Sequence, residues 1–186
     1  MRPLPLSSAP LTEEQMELCL SRIADGELPY LDTLYRGTAA SVYALAFSIL
    51  KNSHDAEDVL HDCFLHVRTS AASYERRGTP LAWILTIARN LCLMRLRQQK
   101  KTADLEEWDA ASLAAPSVSV EDRMVMQSLL TQLADDERQI VVLHAVSGFK
   151  HREIARLLGL PLSTVLSKYH RALKKLRAFF GKELSS

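Results

Sequence analysis

Glycine and proline are scarce, at six and seven in 186 residues, and no stretch alternates β-branched with polar residues. Both gaps argue against strand-and-turn architectures. Apolar residues instead recur at steps of three and four almost throughout, so an all-α chain is expected. Cysteine is sparse as well: Cys19, Cys63 and Cys92 are odd in number, widely spaced and each set in an apolar helical pattern. That argues against a disulfide framework and suits buried thiols in a reducing compartment, hence a cytoplasmic protein. No apolar run approaches the roughly 20 residues that span a bilayer. Met1-Arg2-Pro3-Leu4-Pro5 also lacks the apolar stretch of a signal peptide, so no membrane insertion is expected.

A net excess of charge is missing too, since the formal sum is only +1. The sum conceals segregation. Residues 1–101 carry 12 Lys/Arg against 11 Asp/Glu, residues 102–122 none against 6, and residues 123–186 carry 11 against 5. A hydrophobic content of 47% suffices for one ordinary domain or two small ones. The acidic stretch 102–122, with Asp104, Glu106, Glu107, Asp109 and Pro116, has the composition of a flexible linker that cannot bury enough apolar surface to order itself. Two small helical domains therefore flank it.

In the first, Thr12 with Gln15 three residues on opens a helix that should stop near Asp25-Gly26. A second stretch runs from Pro29 to about Lys51, with Gly37 the natural place for a bend. Asn52-Ser53-His54 breaks it. A third helix, from Asp55 to about Ser70, buries Val59, Leu60, Cys63, Phe64 and Val67 and sets Asp55, Asp58 and Asp62 on the opposite, outward face. After a polar loop from Ser73 to Gly78, Thr79 caps a helix with Pro80 at its first position, carrying Trp83, Ile84, Ile87, Ala88 and Leu91 into the basic tail Arg95 to Lys101. The second domain starts near Glu121, with one helix through Val125, Leu129, Leu130 and Leu133 and another through Ile140, Val141, Leu143 and His144.

Lys150-His151-Arg152-Glu153-Ile154-Ala155-Arg156-Leu157-Leu158-Gly159, followed by Leu160-Pro161-Leu162-Ser163-Thr164-Val165, reads as a helix-turn-helix. Ala155 is small where two helices cross closely, Gly159 can take the left-handed conformation that ends the first helix, and Val165 returns an apolar contact. The second helix is expected to present Ser163, Thr164, Ser167, Lys168 and Arg171 outward, with Arg152 and Lys175 nearby, donors and cations suited to base edges and phosphates. Nine Lys/Arg against one acid, Glu153, lie between residues 150 and 182. That density suits counterion release from a nucleic-acid backbone.

Asp55-Ala56-Glu57-Asp58-Val59-Leu60-His61-Asp62-Cys63-Phe64 resembles the region 2.2 signature of extracytoplasmic-function (group IV) bacterial sigma factors. Ala82-Trp83-Ile84-Leu85-Thr86-Ile87-Ala88-Arg89-Asn90 resembles that family's region 2.4 helix, and Leu133 to Arg177 its region 4. The three motifs stand in the family's order, and the similarity spans about residues 15–180.

The resemblance implies a protein that performs no chemistry and needs no cofactor, but binds core RNA polymerase and directs it to promoter DNA. Residues 1–27 would form a tail and leading helix, 28–101 region 2, 102–122 the linker and 123–182 region 4. Asp55, Glu57, Asp58, His61 and Asp62 would dock on the clamp helices of the largest polymerase subunit, an acidic face that also steers a basic partner. Ser73, Tyr74, Arg76, Arg77, Thr86, Arg89 and Asn90 would read and melt the minus-ten element, stacking an extruded base and holding the single strand, with Trp83 supporting from the core. Arg152, Ser163, Thr164, Ser167, Lys168, Arg171 and Lys175 would read the minus-thirty-five element. The sequence departs from the pattern at His61, usually Gln, which would make docking mildly pH-sensitive; at Leu166, commonly Lys; at Pro161, usually a capping Ser or Thr; and at Lys168, commonly Arg, whose loss of a bidentate fork favours phosphate over guanine. The resemblance further implies that the linker threads the polymerase cleft, where its composition reads equally as a solvated tether. Family members often have an anti-sigma partner.

Two other classes compete. An enzyme would need His61, Cys63 and His66, but positions 61 and 66 lie about 140° apart around a helix and cannot share one ion. A stand-alone repressor would use residues 1–100 to dimerise or sense a ligand. No small-molecule substrate is expected on the sigma-factor reading.

Overall fold

The structure, a computed structural model, describes residues 11–75, 79–102 and 132–183. Among them are seven α-helices, one 3-10 turn and no strand. The chain divides into two compact units, Met1–Ala111 and Ser112–Ser186.

In the first unit, α1 (Glu13–Ala24) opens with the expected capping box: Gln15 N–H donates to Thr12 Oγ1 at 3.2 Å and Thr12 N–H to Gln15 Oε1 at 2.9 Å. Gly26, at φ 88°, ends it. Helix α2 (Pro29–Leu50) starts on a proline whose missing N–H costs nothing there. Two of its buried hydroxyls are satisfied locally, Thr38 Oγ1 donating to Leu34 O and Ser48 Oγ to Leu45 O, each at 2.7 Å. Helical structure runs unbroken through Gly37. The glycine instead admits Leu11, whose side chain a Cβ there would overlap.

Lys51, in the left-handed conformation at φ 59°, closes α2, and the Asn52 side chain accepts from Asp55 N–H to cap α3 (Ser53–Ser70). This helix starts two residues before the expected Asp55, because Asn52 is its cap rather than a breaker. The 3-10 turn Ala71–Ser73 leads on, and α4 (Pro80–Thr102) is capped as expected, Ala82 N–H donating to Thr79 Oγ1. It continues as helix through the basic stretch from Arg95.

Helices α2, α3 and α4 pack pairwise with α1 against them. Leu20, Leu34, Val42, Leu45, Ile84 and Leu85 interdigitate in the core without solvent exposure. All three thiols are free and buried there. Burial pushes those of Cys63 and Cys92 up to about 12.

The second unit contains α5 (Asp135–Ala145), α6 (His151–Leu158) and α7 (Leu162–Glu183). Ile140, Leu143, Ile154, Val165 and Ala172 are fully buried and Ala155 nearly so. Gly159 takes φ 67° and ends α6, and Leu160 N–H reaches back to Ala155 O at 3.0 Å. These are the left-handed cap and its 6→1 bond. The helix expected before Leu133 and the linker lie outside the described residues, while Leu133 itself is buried.

Candidate functional site

The acidic face of α3 is divided. Arg95 of α4 donates from Nε to Asp55 at 2.8 Å and from Nη2 to Asp58 at 2.6 Å, and Gln99 adds a bond to Asp55 Oδ2 at 2.9 Å. Asp55 is thereby drawn toward α4 rather than standing on a wholly outward face, which corrects the sequence expectation. His61 and Asp62 are exposed, Glu57 half-buried, and Leu65 adds an exposed apolar side chain beside them. His61 Nδ1 lies 2.8 Å from Glu57 O, one turn back.

At the other end of α3, Ser73 Oγ donates to Ser70 O, and the Tyr74 ring meets Trp83 edge-on at 5.2 Å between centroids. Both rings are half-buried. Trp83 thus lies beside the core stripe of Ile84, Leu85, Ala88 and Cys92 rather than within it. Thr86 and Asn90 are exposed one turn apart; Arg89, between them, is half-buried with Nε buried and unbonded. Arg76 and Arg77 lie outside the described residues.

Helix α7 of the second unit has two distinct stripes. Ser163, Ser167, His170 and Lys174, at i, i+4, i+7 and i+11, are exposed, as are Arg171 on α7 and Arg152 on α6. Thr164 is half-buried. Val165, Lys168, Ala172 and Lys175 form the other stripe, whose apolar members are fully buried. Lys168 and Lys175 therefore depart inward, and their stems carry the ammonium groups along the surface to the first turn of α5. Lys168 Nζ meets Asp136 at 2.8 Å and Lys175 Nζ meets Glu137 at 2.6 Å, with Arg171 Nε 4.0 Å from Glu137. Lys168 does not stand on the outward face as the sequence had suggested, because position 168 falls three residues from Val165 and four from Ala172, whereas Lys175, expected only near that face, is exposed. Burial favours the neutral form of Glu137, but the bonds from Lys175 and Ala134 N–H and the charges of Lys175 and Arg171 outweigh it and hold its carboxyl below the usual carboxylate range.

His170 and Lys174 were absent from the sequence-based set. Helical spacing from Ser163 was the signal that marks them. Arg95 was likewise read only as part of a basic tail.

Two imidazoles and a phenol ring converge in the second unit. His144 of α5 and His151 of α6 stack at 4.7 Å, and Tyr169 of α7 packs edge-on against both. His144 Nδ1 lies 2.8 Å from Phe149 O, whereas His151 Nε2 is buried and unbonded. Burial, then the neighbouring His144 and His170, holds His151 below its ordinary value. The cluster considered for enzyme chemistry does not converge: Cys63 is buried while His61 and His66 are exposed. Among the described residues no group of His, Cys, Asp and Glu is placed to hold a metal, and no helix is long and apolar enough to cross a membrane.

Comparison with known proteins agrees with this arrangement. Sigma-70 region 2 matches residues 34–102 and Sigma-70, region 4, residues 123–176. The first match covers the part that the repressor alternative reserved for sensing or dimerisation. The ECF RNA polymerase sigma factor SigM of Mycobacterium tuberculosis is 32% identical over 167 residues, covering 89% of this chain and 84% of that protein. SigE of Mycolicibacterium smegmatis is also 32% identical, over 85% of this chain but 64% of its own length, so the chain spans less than two thirds of that relative. Among solved structures, the sigma factor RpoE of Bartonella quintana, in complex with the anti-sigma factor NepR, has a TM-score of 0.66 at 23% identity, covering 84% of this chain and 96% of that one. CnrH in complex with the cytosolic domain of CnrY has a TM-score of 0.65 at 22% identity, covering 90% and 98%. The identities place these two as likenesses of fold. On the family matches and the relationship to SigM, the chain belongs to the ECF RNA polymerase sigma factors.

Proposed function

We propose that this chain binds core RNA polymerase and directs promoter-specific initiation, its first unit reading and melting the minus-ten element and its second reading the minus-thirty-five element. The observation that carries this is the α6–Gly159–α7 head, whose outward stripe sets short donors near the N-terminus of α7 and cations beyond them, the order in which base edges and phosphates are met. In the first unit, Glu57, His61 and Asp62 offer the docking surface for the polymerase clamp helices, with Asp55 and Asp58 held at its edge by Arg95. Ser73, Tyr74, Thr86, Arg89 and Asn90, together with Arg76 and Arg77, serve the minus-ten strand. Residues 1–27, 28–101, 102–122 and 123–182 act as leading helix, region 2, linker and region 4.

The chain contributes no chemistry, because bond formation belongs to the polymerase. It needs neither cofactor nor small-molecule substrate. It works in the cytoplasm, in keeping with three reduced, buried thiols, and an anti-sigma protein of the kind seen bound to RpoE restrains it.

Run-off transcription with core polymerase on genomic fragments tests this reading. Discrete transcripts that need both polymerase and the chain are expected. Tight operator binding by the chain alone, with no polymerase-dependent transcript, would refute it.

A further inference from the structure

Not every cation of the reading helix is available to DNA. Val165 and Ala172 are fully buried, and Lys168 and Lys175 share their stripe, so both ammonium groups emerge beside α5. There they meet two different carboxylates. Glu137 is only 6% exposed, accepts from Ala134 N–H at 3.2 Å and from Lys175 at 2.6 Å, and forms a fixed brace between α5 and α7. Asp136 is 50% exposed and touches Lys168, itself 23% exposed, at 2.8 Å. It therefore lies at the protein surface, where a phosphate would compete for the same ammonium.

We infer that Asp136 is a negative determinant of promoter affinity, withholding Lys168 from the phosphate backbone. The inference rests on the reading of α7 as the minus-thirty-five reader. A lysine counter-charged by its own protein displaces no ion from DNA, whereas each lysine that neutralises a phosphate steepens the dependence of log affinity on log salt by about 0.9. Asp136 thus sets how many cations the head presents. It keeps nonspecific, phosphate-driven binding low and leaves discrimination to Ser163, Ser167, His170 and Arg171.

The test uses holoenzymes assembled from core polymerase and the full chain, as wild type, D136N, K168A and the double variant, titrated onto a promoter duplex over a range of salt. D136N is expected to bind about two- to five-fold more tightly at low salt, the scale of an exposed ion pair, with a slope steeper by about 0.9. K168A alone should weaken binding about as much as D136N strengthens it, because it leaves the Asp136 carboxylate without its counter-charge, and the double variant should return close to wild type. Asp136→Ser, which likewise removes the charge, repeats the measurement if D136N unfolds the second unit. An unchanged slope in D136N, or a gain that survives removal of Lys168, overturns the inference. If wild-type holoenzyme still initiates at discrete promoters in that case, only this inference fails. If no holoenzyme initiates at any promoter, the reading beneath it fails and takes the inference with it.

Discussion

Replacing Arg95 by Ala removes a side chain that bonds both Asp55 and Asp58 across the α3–α4 contact. The two carboxylates differ in what they lose. Asp58 is 39% exposed, so water recovers much of its interaction and its share is about 0–1 kcal/mol. Asp55 is 17% exposed and keeps Gln99 as a neutral partner, so losing its charge-assisted bond costs about 1.5 kcal/mol, at the low end for such bonds. Together they predict a loss of about 2 kcal/mol, which for a domain of this size lowers the melting temperature by roughly 8–16 °C. Thermal unfolding of the full chain followed by circular dichroism reads this directly. Arg95→Lys should recover only part, because one ammonium cannot bridge two acceptors as a fork does. A shift below about 2 °C, or full rescue by Lys, would show that the geometry across the two helices carries no such energy.

Gly159, at φ 67° with open space where a Cβ would stand, isolates backbone strain from packing. Ala should cost about 1–2 kcal/mol, Asn less and Val more, in the melting of the second unit and in promoter binding; equal effects from all three would refute a left-handed requirement. The pH dependence of stability has a definite sign at His151. Its folded value lies below the ordinary 6.5, so the unfolded chain takes up its proton first as pH falls. The second unit should hold its full His151-linked stability above that value and lose it on acidification, and His151→Phe, which keeps a ring against His144 and Tyr169, should flatten the slope. A slope unaltered by that replacement would assign the effect elsewhere. Charge reversal at exposed Asp62 should weaken association with core polymerase without altering the melting temperature; Asp62 is cleaner than Asp58, which also bonds Arg95. Undiminished association would remove α3 from the docking surface.

Much of the fold follows from local chemistry visible in the sequence. Thr12 with Gln15, Thr79 with Pro80 and Gly159 are each sufficient to place a helix end, because the groups they satisfy lie within a turn. The start of α3 was misplaced for a related reason: Asn52 suits either a break or a cap, and only the bond to Asp55 N–H decides. The helix-turn-helix pattern placed Val165 correctly. It did not say where the long side chains sharing its stripe would lead. The pairs that reorganise both candidate faces, Arg95 with Asp55 and Lys168 with Asp136, are 40 and 32 residues apart in the chain. They depend on which helices become neighbours, which no local spacing encodes.

All three cysteines of the sequence fall in the first unit, each with its sulfur wholly enclosed. A thiol-alkylating reagent added to the native protein can therefore react only as often as that unit opens, and the second unit contributes no background. Modification kinetics thus give a clock for breathing of one module alone.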